Sequence, residues 1–190
     1  MKKGLLIILS GPSGVGKGTI RQKVMEDATL NLWYSVSLTT RKQRPGEVDG
    51  RDYWFVSEKE FEANLAKGNL LEHAAFVDHH YGTPKDKEEE VRAKGVNVFL
   101  EIDVKGAKQV MEKVPEAISI FLLPPSFQEL ENRIRGRSTE SEKIIEERLA
   151  RAKSEMALAK NYKYQVINDS VKRAAQEIQR IIAHEISLAK

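Results

Sequence analysis

Apolar residues occur along this chain in two patterns, which predict two kinds of secondary structure. Continuous apolar runs cover residues 5–9, 96–102, 118–123 and, more briefly, 164–167. Such runs are typical of strands buried on both faces of a parallel sheet. Between them, apolar residues recur at spacings of three and four, which is typical of helices with one buried face. Strands that alternate with helices predict an α/β fold with a parallel sheet.

The helical pattern is clearest in the second half of the chain. A helix is expected to begin at Ser126, where Ser126-x-x-Glu129 has the spacing of a capping box. A long helix and the last helix, which follows Asp169-Ser170, each present one apolar stripe. The two stripes contain Ile145, Leu149, Ala152, Met156 and Ala159, and then Ala174, Ile178, Ile181 and Ile182.

Residues 34–90 interrupt this alternation and are interpreted as an inserted subdomain. They contain an alternating segment, a loop rich in glycine and charge, and a second capping box at Ser57-x-x-Glu60. The charged run 85–92 is interpreted as a solvated helix face.

Composition narrows the classes of protein. A chain of 190 residues with a net charge of +3 and no cysteine is expected to form one domain without disulfides. The charge suits an anionic ligand but is too small to indicate nucleic-acid binding. The N-terminal apolar run is too short for a secretory core, and no segment reaches membrane-spanning length, so a cytoplasmic location without a membrane partner is expected.

The first apolar run leads directly into a glycine-rich segment that predicts a phosphate-binding loop. Its residues are Gly11, Pro12, Ser13, Gly14, Val15, Gly16, Lys17, Gly18 and Thr19. A loop of this kind between a buried strand and a helix points its backbone amides at a phosphate, and its lysine reaches the β- and γ-phosphates. Gly18 stands where a hydroxyl usually binds Mg²⁺, so no protein metal ligand is predicted. Mg²⁺ is expected to be bound mainly by the ATP phosphates and water.

The inserted region suggests an anionic second substrate. Arg41 and Arg44 are three residues apart and can converge on one phosphate through bidentate contacts. The acids among them, Glu47, Asp49 and Asp52, argue against a nucleic-acid patch.

At this point the chain resembles the guanylate kinases, essentially from end to end. The resemblance depends on GPSGVGKGT, SVSLTTR with RPGEVDGRDY, LLEHAAF, HHYGTP, FLEIDVKGA, IFLLPPS, RIRGR and the final IND. It implies a three-layer, parallel-sheet P-loop nucleoside monophosphate kinase fold with an inserted GMP-binding subdomain and a lid. The implied core is 1–33, 91–125 and 160–190, with the GMP-binding subdomain at 34–90 and the lid at 126–159.

The resemblance also implies the site residues. Arg41, Arg44, Tyr53 and Tyr81 would bind the GMP phosphate, Glu47 would orient the arginines, and Ser37, Glu72, Thr83 and Asp103 would read guanine. Lys17, Arg41, Arg133, Arg137 and Arg148 would act in phosphoryl transfer, and Asn168 would contact adenine. The chemistry agrees, since a carboxylate can accept from the adjacent N1 and N2 donors of guanine but faces a lone pair on adenine.

The chain departs from the usual family sequence at several positions. His73 replaces a common Trp, His79-His80 replaces Asn-Tyr, Gln43 replaces Pro, and Ser138 follows Arg137 in place of Gly. The paired histidines invite a metal interpretation, which is disfavoured because the family site uses the tyrosine.

The expected reaction is ATP plus GMP giving ADP and GDP, with dGMP as a further acceptor, by a monomer or homodimer. Three other functions would fit some of these features. Another small nucleotide kinase would also fit GKGT, but not the base-reading carboxylates. A GTPase would fit Asp103-Val-Lys-Gly106, but the chain contains no Asn-Lys-x-Asp motif. A guanylate-kinase-like binding module would be expected to have a degraded phosphate loop.

Overall fold

The computed structural model describes residues 2–76, 78–137 and 141–189, without the side chains of Phe76 and Arg137. The strands are β1 (Leu6–Ser10), β2 (Leu32–Tyr34), β3 (Leu38–Thr39), β4 (Trp54–Phe55), β5 (Leu70–Phe76), β6 (His79–Pro84), β7 (Asn97–Glu101), β8 (Ile118–Leu123) and β9 (Tyr164–Ile167). The helices are α1 (Lys17–Val24), α2 (Glu58–Ala66), α3 (Lys85–Ala93), α4 (Val104–Lys113), α5 (Phe127–Arg137), α6 (Glu142–Met156) and α7 (Val171–Leu188), with 3₁₀ turns at Ala28–Leu30 and Ala159–Asn161.

The continuous apolar runs form the core sheet. Among the described residues its order is β2-β7-β1-β8-β9, and all of its pairings are parallel. Successive residues of β1 face opposite sides, so Ile7 and Leu9 pack into one apolar cluster and Leu6 and Ile8 into another. Helices α1, α5, α6 and α7 cover the first side, and α3 and α4 cover the second. This three-layer arrangement agrees with the predicted fold class.

A second sheet is built by the inserted region. Its order is β4-β3-β6-β5, with β3–β4 parallel and the other pairs antiparallel. Helix α2 packs on it through Phe61, which meets Leu38 and Leu70 in a small apolar cluster. The capping box at Ser57 and Glu60 is present with both of its hydrogen bonds. The subdomain boundaries inferred from the sequence stay a prediction.

Two local predictions are met only in part. Ser126 accepts from the backbone N–H of Glu129 at 3.1 Å, which is one half of the predicted capping box, and Oε1 of Glu129 accepts from Arg133 Nε at 3.1 Å. The charged run 85–92 is a helix, yet Glu88 and Arg92 on it are only 1% and 7% exposed. The interpretation of this run as a fully solvated face is therefore wrong, because its inner side packs beneath the core sheet.

Candidate nucleotide site

The glycine-rich loop lies between β1 and α1, where its backbone is held by a residue from the far end of the chain. Gly16 caps α1 with a positive φ of 99°, and a Cβ there would lie 2.8 Å from Asn168 Nδ2. Asn168 is buried and donates from that nitrogen to the Val15 carbonyl at 2.8 Å. Asn168 therefore supports the loop in this structure, and its contact with adenine stays a prediction.

Lys17 folds back across the loop that precedes it. Its Nζ donates to the carbonyls of Gly11 at 2.7 Å and Pro12 at 3.1 Å. Burial lowers the pKa of Lys17, while the nearby carboxylates of Glu101, Glu155 and Asp103 oppose this effect. The ammonium is thus positioned at the mouth of the loop, at the positive end of α1.

Glu101 is a neighbour of the loop that the sequence interpretation missed. It ends β7, beside β1, and its Oε2 accepts from Arg21 Nε at 2.9 Å. A Cβ on Gly18 would lie 3.6 Å from Glu101 Oε1. The space left by the missing hydroxyl at position 18 therefore faces a carboxylate oxygen. The available signal was an acid at the carboxyl end of a buried strand.

Two of the predicted lid arginines reach the loop. Arg133 on α5 approaches the carbonyls of Val15 at 3.5 Å and Asn168 at 3.3 Å. Arg148 on α6 donates from Nη2 to Ser13 Oγ at 3.1 Å. The Arg137 side chain, on which its predicted contribution depends, and the departure at Ser138 lie outside the part of the chain that the structure describes.

The residues predicted to bind the phosphate of the second substrate lie around one ion pair in the inserted region. The Arg41 guanidinium makes two hydrogen bonds to the Glu47 carboxylate, at 2.8 and 3.1 Å, and this contact raises the pKa of Arg41. Glu47 also accepts from the backbone N–H of Arg44 at 2.8 Å, whereas the Arg44 side chain is exposed. The rings of Tyr53 and Tyr81 meet edge to face at 5.9 Å, and Arg41 lies 5.4 Å from the Tyr53 ring centre.

Three of the predicted guanine readers, Glu72, Thr83 and Asp103, converge where the two sheets meet. Glu72 and Thr83 are register partners on β5 and β6, and Thr83 Oγ1 donates to Glu72 Oε1 at 2.7 Å. A Cβ on Gly106 would lie 2.7 Å from Glu72 Oε2 and 3.3 Å from Asp103 Oδ1, so only glycine allows both carboxylates this position. Ser37 is half-buried and immediately precedes β3.

Burial raises the pKa of the Glu72 carboxyl to about 7, and the charge of Asp103 acts in the same direction. The hydrogen bond from Thr83 opposes the shift by favouring the ionised form. Glu72 is therefore held close to the point where a small change in its surroundings determines its charge.

Asp103 connects this region with the helices above the phosphate loop. Its Oδ1 caps α4 by accepting from Gly106 N–H at 2.7 Å, and its Oδ2 lies 3.3 Å from Arg151 Nη2 on α6. Arg151 also donates to Glu155 at 2.7 Å, and this pair raises the pKa of Arg151. The sequence interpretation did not select Arg151 or Glu155.

Comparison with known proteins agrees with this geometry. The family model described as guanylate kinase matches residues 3–185. The chain belongs to the guanylate kinase family. It is 52% identical to the guanylate kinase of Streptococcus thermophilus (strain CNRZ 1066) over 97% of this chain and 88% of that protein. The guanylate kinase of Lactiplantibacillus plantarum is 51% identical over 97% of this chain and 89% of its own length. The crystal structure of guanylate kinase from Anaplasma phagocytophilum superimposes with a TM-score of 0.76 at 34% identity, covering 97% of this chain and 87% of that one. The predicted resemblance and fold class are confirmed.

The departures from the usual guanylate kinase sequence have local contacts. His73 exchanges two backbone hydrogen bonds with the Gln109 side chain, at 3.2 and 3.0 Å. The His80 ring stacks on Phe61 at 5.2 Å, and its Nε2 lies 3.8 Å from Glu58. Within the part of the chain that the structure describes, no group of three or more His, Asp or Glu side chains could hold a metal ion. No helix within those ranges is long and apolar enough to span a bilayer.

Proposed function

We propose that this member of the guanylate kinase family transfers the γ-phosphoryl group of ATP to GMP, giving ADP and GDP. The position of Asp103 carries the proposal. Its charge acts on Lys17 in the phosphate loop, and its side chain lies beside Glu72 across Gly106. Asp103 would thus lie between the proposed donor site and the proposed acceptor site, which supports direct transfer because that reaction needs the two nucleotides side by side.

On the donor side, backbone amides of the loop and α1 would bind the β-phosphate, and Lys17 would turn from its loop carbonyls to the β- and γ-phosphates. Arg133 and Arg148 now contact carbonyl and hydroxyl oxygens of the loop region. Phosphate oxygens can replace those acceptors, so the two arginines would neutralise charge on the moving group. Catalytic roles for Arg41 and Arg137 are proposed from the resemblance alone.

On the acceptor side, Glu72 and Asp103 would accept from the N1 and N2 donors of guanine, with Ser37 and Thr83 serving the remaining polar edge. Arg41, Arg44, Tyr53 and Tyr81 would bind the GMP phosphate, with Glu47 holding the first arginine in place. An oxygen of the GMP phosphate forms a bond to the γ-phosphorus while the bond to the β–γ bridging oxygen breaks. That attacking oxygen is already ionised near neutral pH, so no strong general base is required.

Magnesium fits this site through hard oxygen donors. Gly18 offers no hydroxyl, and the nearest carboxylate oxygen to the position of its missing side chain belongs to Glu101. Mg²⁺ bound mainly to ATP phosphates and water would add positive charge to the transferring group, and Glu101 would be placed to accept from its water ligands. A cytoplasmic location and a monomeric or homodimeric state stay predictions.

A coupled ADP-release assay with ATP and a panel of GMP, dGMP, AMP and UMP tests the proposal. We expect GMP to be the preferred acceptor and dGMP to be used as well. AMP is expected to be used at least about 10²-fold less efficiently in kcat/KM, because a carboxylate facing its N1 lone pair is left unsatisfied. Preference for AMP or UMP, or no transfer to GMP, would overturn it.

A further inference from the structure

The polypeptide passes between the core sheet and the second sheet at two places on the described chain. Residues 35–37 lead from β2 of the core to β3 of the second sheet. Helix α3 leads back from β6 of the second sheet to β7 of the core. Any movement of one sheet relative to the other must be absorbed at these two connections.

A buried hydrogen bond joins the two connections. Ser35 Oγ donates to Glu88 Oε1 at 2.8 Å, across 53 residues of sequence. Ser35 is 4% exposed and Glu88 is 1% exposed, so water does not compete for this contact. We call this contact the Ser35–Glu88 tie.

Both ends of the tie are attached to the core. The backbone N–H of Ser35 donates to the Phe99 carbonyl on β7 at 3.0 Å. One turn after Glu88, Arg92 Nε donates to the Gly4 carbonyl at 2.9 Å, and Gly4 N–H donates back to the Arg92 carbonyl at 2.8 Å. The tie is therefore a fixed point from which the second sheet extends.

Toward the second sheet, two predicted guanine readers lie close to the tie along the chain. Ser37 is two residues beyond Ser35, and Thr83 stands two residues before α3 begins.

A cleft of about 570 Å³ lies beside the tie, and Glu88 is part of its lining. The lining also includes Leu65 of α2, Leu70 of β5, Lys113 of α4 and Val114, which follows α4. Beside the cleft, β5 contacts α4 directly, because Lys113 Nζ donates to the Leu70 carbonyl at 3.1 Å and Leu71 packs into the second apolar cluster. The tie therefore acts at the connections together with these contacts.

Stability alone does not account for Glu88. Its Oε2 is buried without a hydrogen-bond partner among the described residues, and burial raises the pKa of this carboxyl to about 8. A buried acid with one unsatisfied oxygen costs stability compared with an apolar residue of similar volume. This cost indicates that Glu88 has a role other than stability, namely in positioning the two connections.

We propose that the Ser35–Glu88 tie sets the position of the second sheet against the core, which makes Glu88 a positioning residue for GMP. The inference rests on the proposed function, because GMP binding is its readout. The phosphate loop belongs to the core, so ATP binding should be nearly indifferent to the tie.

The test compares Glu88→Leu, Glu88→Gln, Ser35→Ala and the double variant Ser35→Ala/Glu88→Leu in steady-state kinetics. Glu88→Leu and Ser35→Ala are each expected to raise the KM for GMP about three- to tenfold, the range for loss of one buried hydrogen bond, with the KM for ATP changed less than about twofold. Glu88→Gln keeps an acceptor oxygen and is expected to restore the KM for GMP. The double variant should be no worse than either single one.

Glu89→Leu is the matched control, since Glu89 is exposed on the same helix and lies 3.8 Å from Lys85. It is expected to leave both KM values unchanged. A KM for GMP within about twofold of wild type in Ser35→Ala and in any folded Glu88→Leu, or an equal rise for GMP and ATP, would overturn the tie. If Glu88→Leu does not fold, Ser35→Ala, which removes one oxygen atom, decides the result.

Failure of the proposed function would look different, because the wild type itself would not phosphorylate GMP. The tie would then be tested without nucleotide, by hydrogen exchange of the β3 and β6 amides in wild type and Ser35→Ala. Faster exchange there with unchanged exchange in β1 supports the tie. Equal exchange in the two proteins overturns it.

Discussion

The two sheets of this protein position their ligand-binding groups by different means. The core sheet is parallel and mostly apolar, and β1 is buried at each of its positions. The second sheet has an apolar cluster of Leu38, Phe61 and Leu70, and it buries the polar residues Thr39, Glu72 and Thr83 beside it. Packing therefore holds the donor side, whereas hydrogen bonds between polar side chains hold much of the acceptor side.

This difference predicts how each site responds to change. The loop backbone is fixed by β1, by α1 and by Asn168. The acceptor side depends on the charge of Glu72 and on the Arg41–Glu47 pair. Substitutions in the loop should abolish transfer without altering acceptor choice, and substitutions in the second sheet should alter acceptor choice without altering ATP binding.

The largest effect is expected from Lys17→Met. Removing the ammonium leaves the transferring phosphoryl group without its nearest loop cation, so kcat should fall at least about 10²-fold. Equilibrium binding of GMP should stay within about threefold of wild type, because Lys17 belongs to the core. Steady-state kinetics and calorimetric titration with GMP measure the two quantities.

Lys23→Met is the matched control, since Lys23 lies on the same helix α1 and pairs with Glu26 at the surface. It should retain full activity. A Lys17→Met enzyme that keeps more than about one tenth of the wild-type kcat would contradict the role assigned to this lysine.

A smaller and more selective effect is expected from Glu72→Gln. An amide cannot accept from both guanine donors, so the KM for GMP should rise about 10- to 100-fold while the KM for ATP stays the same. Glu62→Gln, at an exposed position of α2, is the control and should change neither constant. Equal losses for both substrates would remove Glu72 from the guanine contact.

The pH dependence of GMP binding sharpens the same comparison. With its pKa raised to about 7 by burial, Glu72 is largely protonated at low pH and must lose its proton to accept from guanine. The KM for GMP should therefore rise as the pH falls below about 7, by up to about tenfold per pH unit. The GMP phosphate also titrates near pH 6. Glu72→Gln keeps that titration, so only the difference between the two pH profiles reports Glu72. Superimposable profiles would contradict the assignment.

The sequence predicted the parts of this molecule that local patterns specify. The apolar runs gave the β8 and β9 boundaries and placed β1 and β7 within a residue of their ends. The glycine-rich segment placed the phosphate loop between a strand and a helix, because both its glycines and its flanking periodicity are contiguous in the chain. The Ser57 capping box followed from two residues three positions apart.

Local sequence patterns did not predict contacts between residues that are distant in the sequence. The charged neighbours of Glu88 in the sequence predict a solvated position, whereas its hydrogen-bond partner Ser35 is 53 positions away. Arg151 lies outside the apolar stripe of its helix, as an ordinary surface arginine does. Its contact with Asp103 spans 48 positions of sequence. A pattern of residue types does not encode which side of a polar helix a tertiary contact will bury.

The smallest effect is expected where the two regions touch, at Arg151. Its guanidinium contacts Oδ2 of Asp103 while Gly106 N–H donates to Oδ1. Arg151→Gln should therefore loosen one proposed guanine reader without disturbing the loop. The pair is half-exposed and 3.3 Å long, and exposed ion pairs contribute at most about 1 kcal/mol. The KM for GMP is therefore expected to rise only about two- to fourfold in the variant. At high salt the difference between variant and wild type should diminish, because screening weakens the same ion pair in the wild type. Arg180→Gln, at an exposed position of α7, is the control. A rise beyond about tenfold would mean that Arg151 contacts substrate directly, and no rise at all would mean that Gly106 alone fixes Asp103.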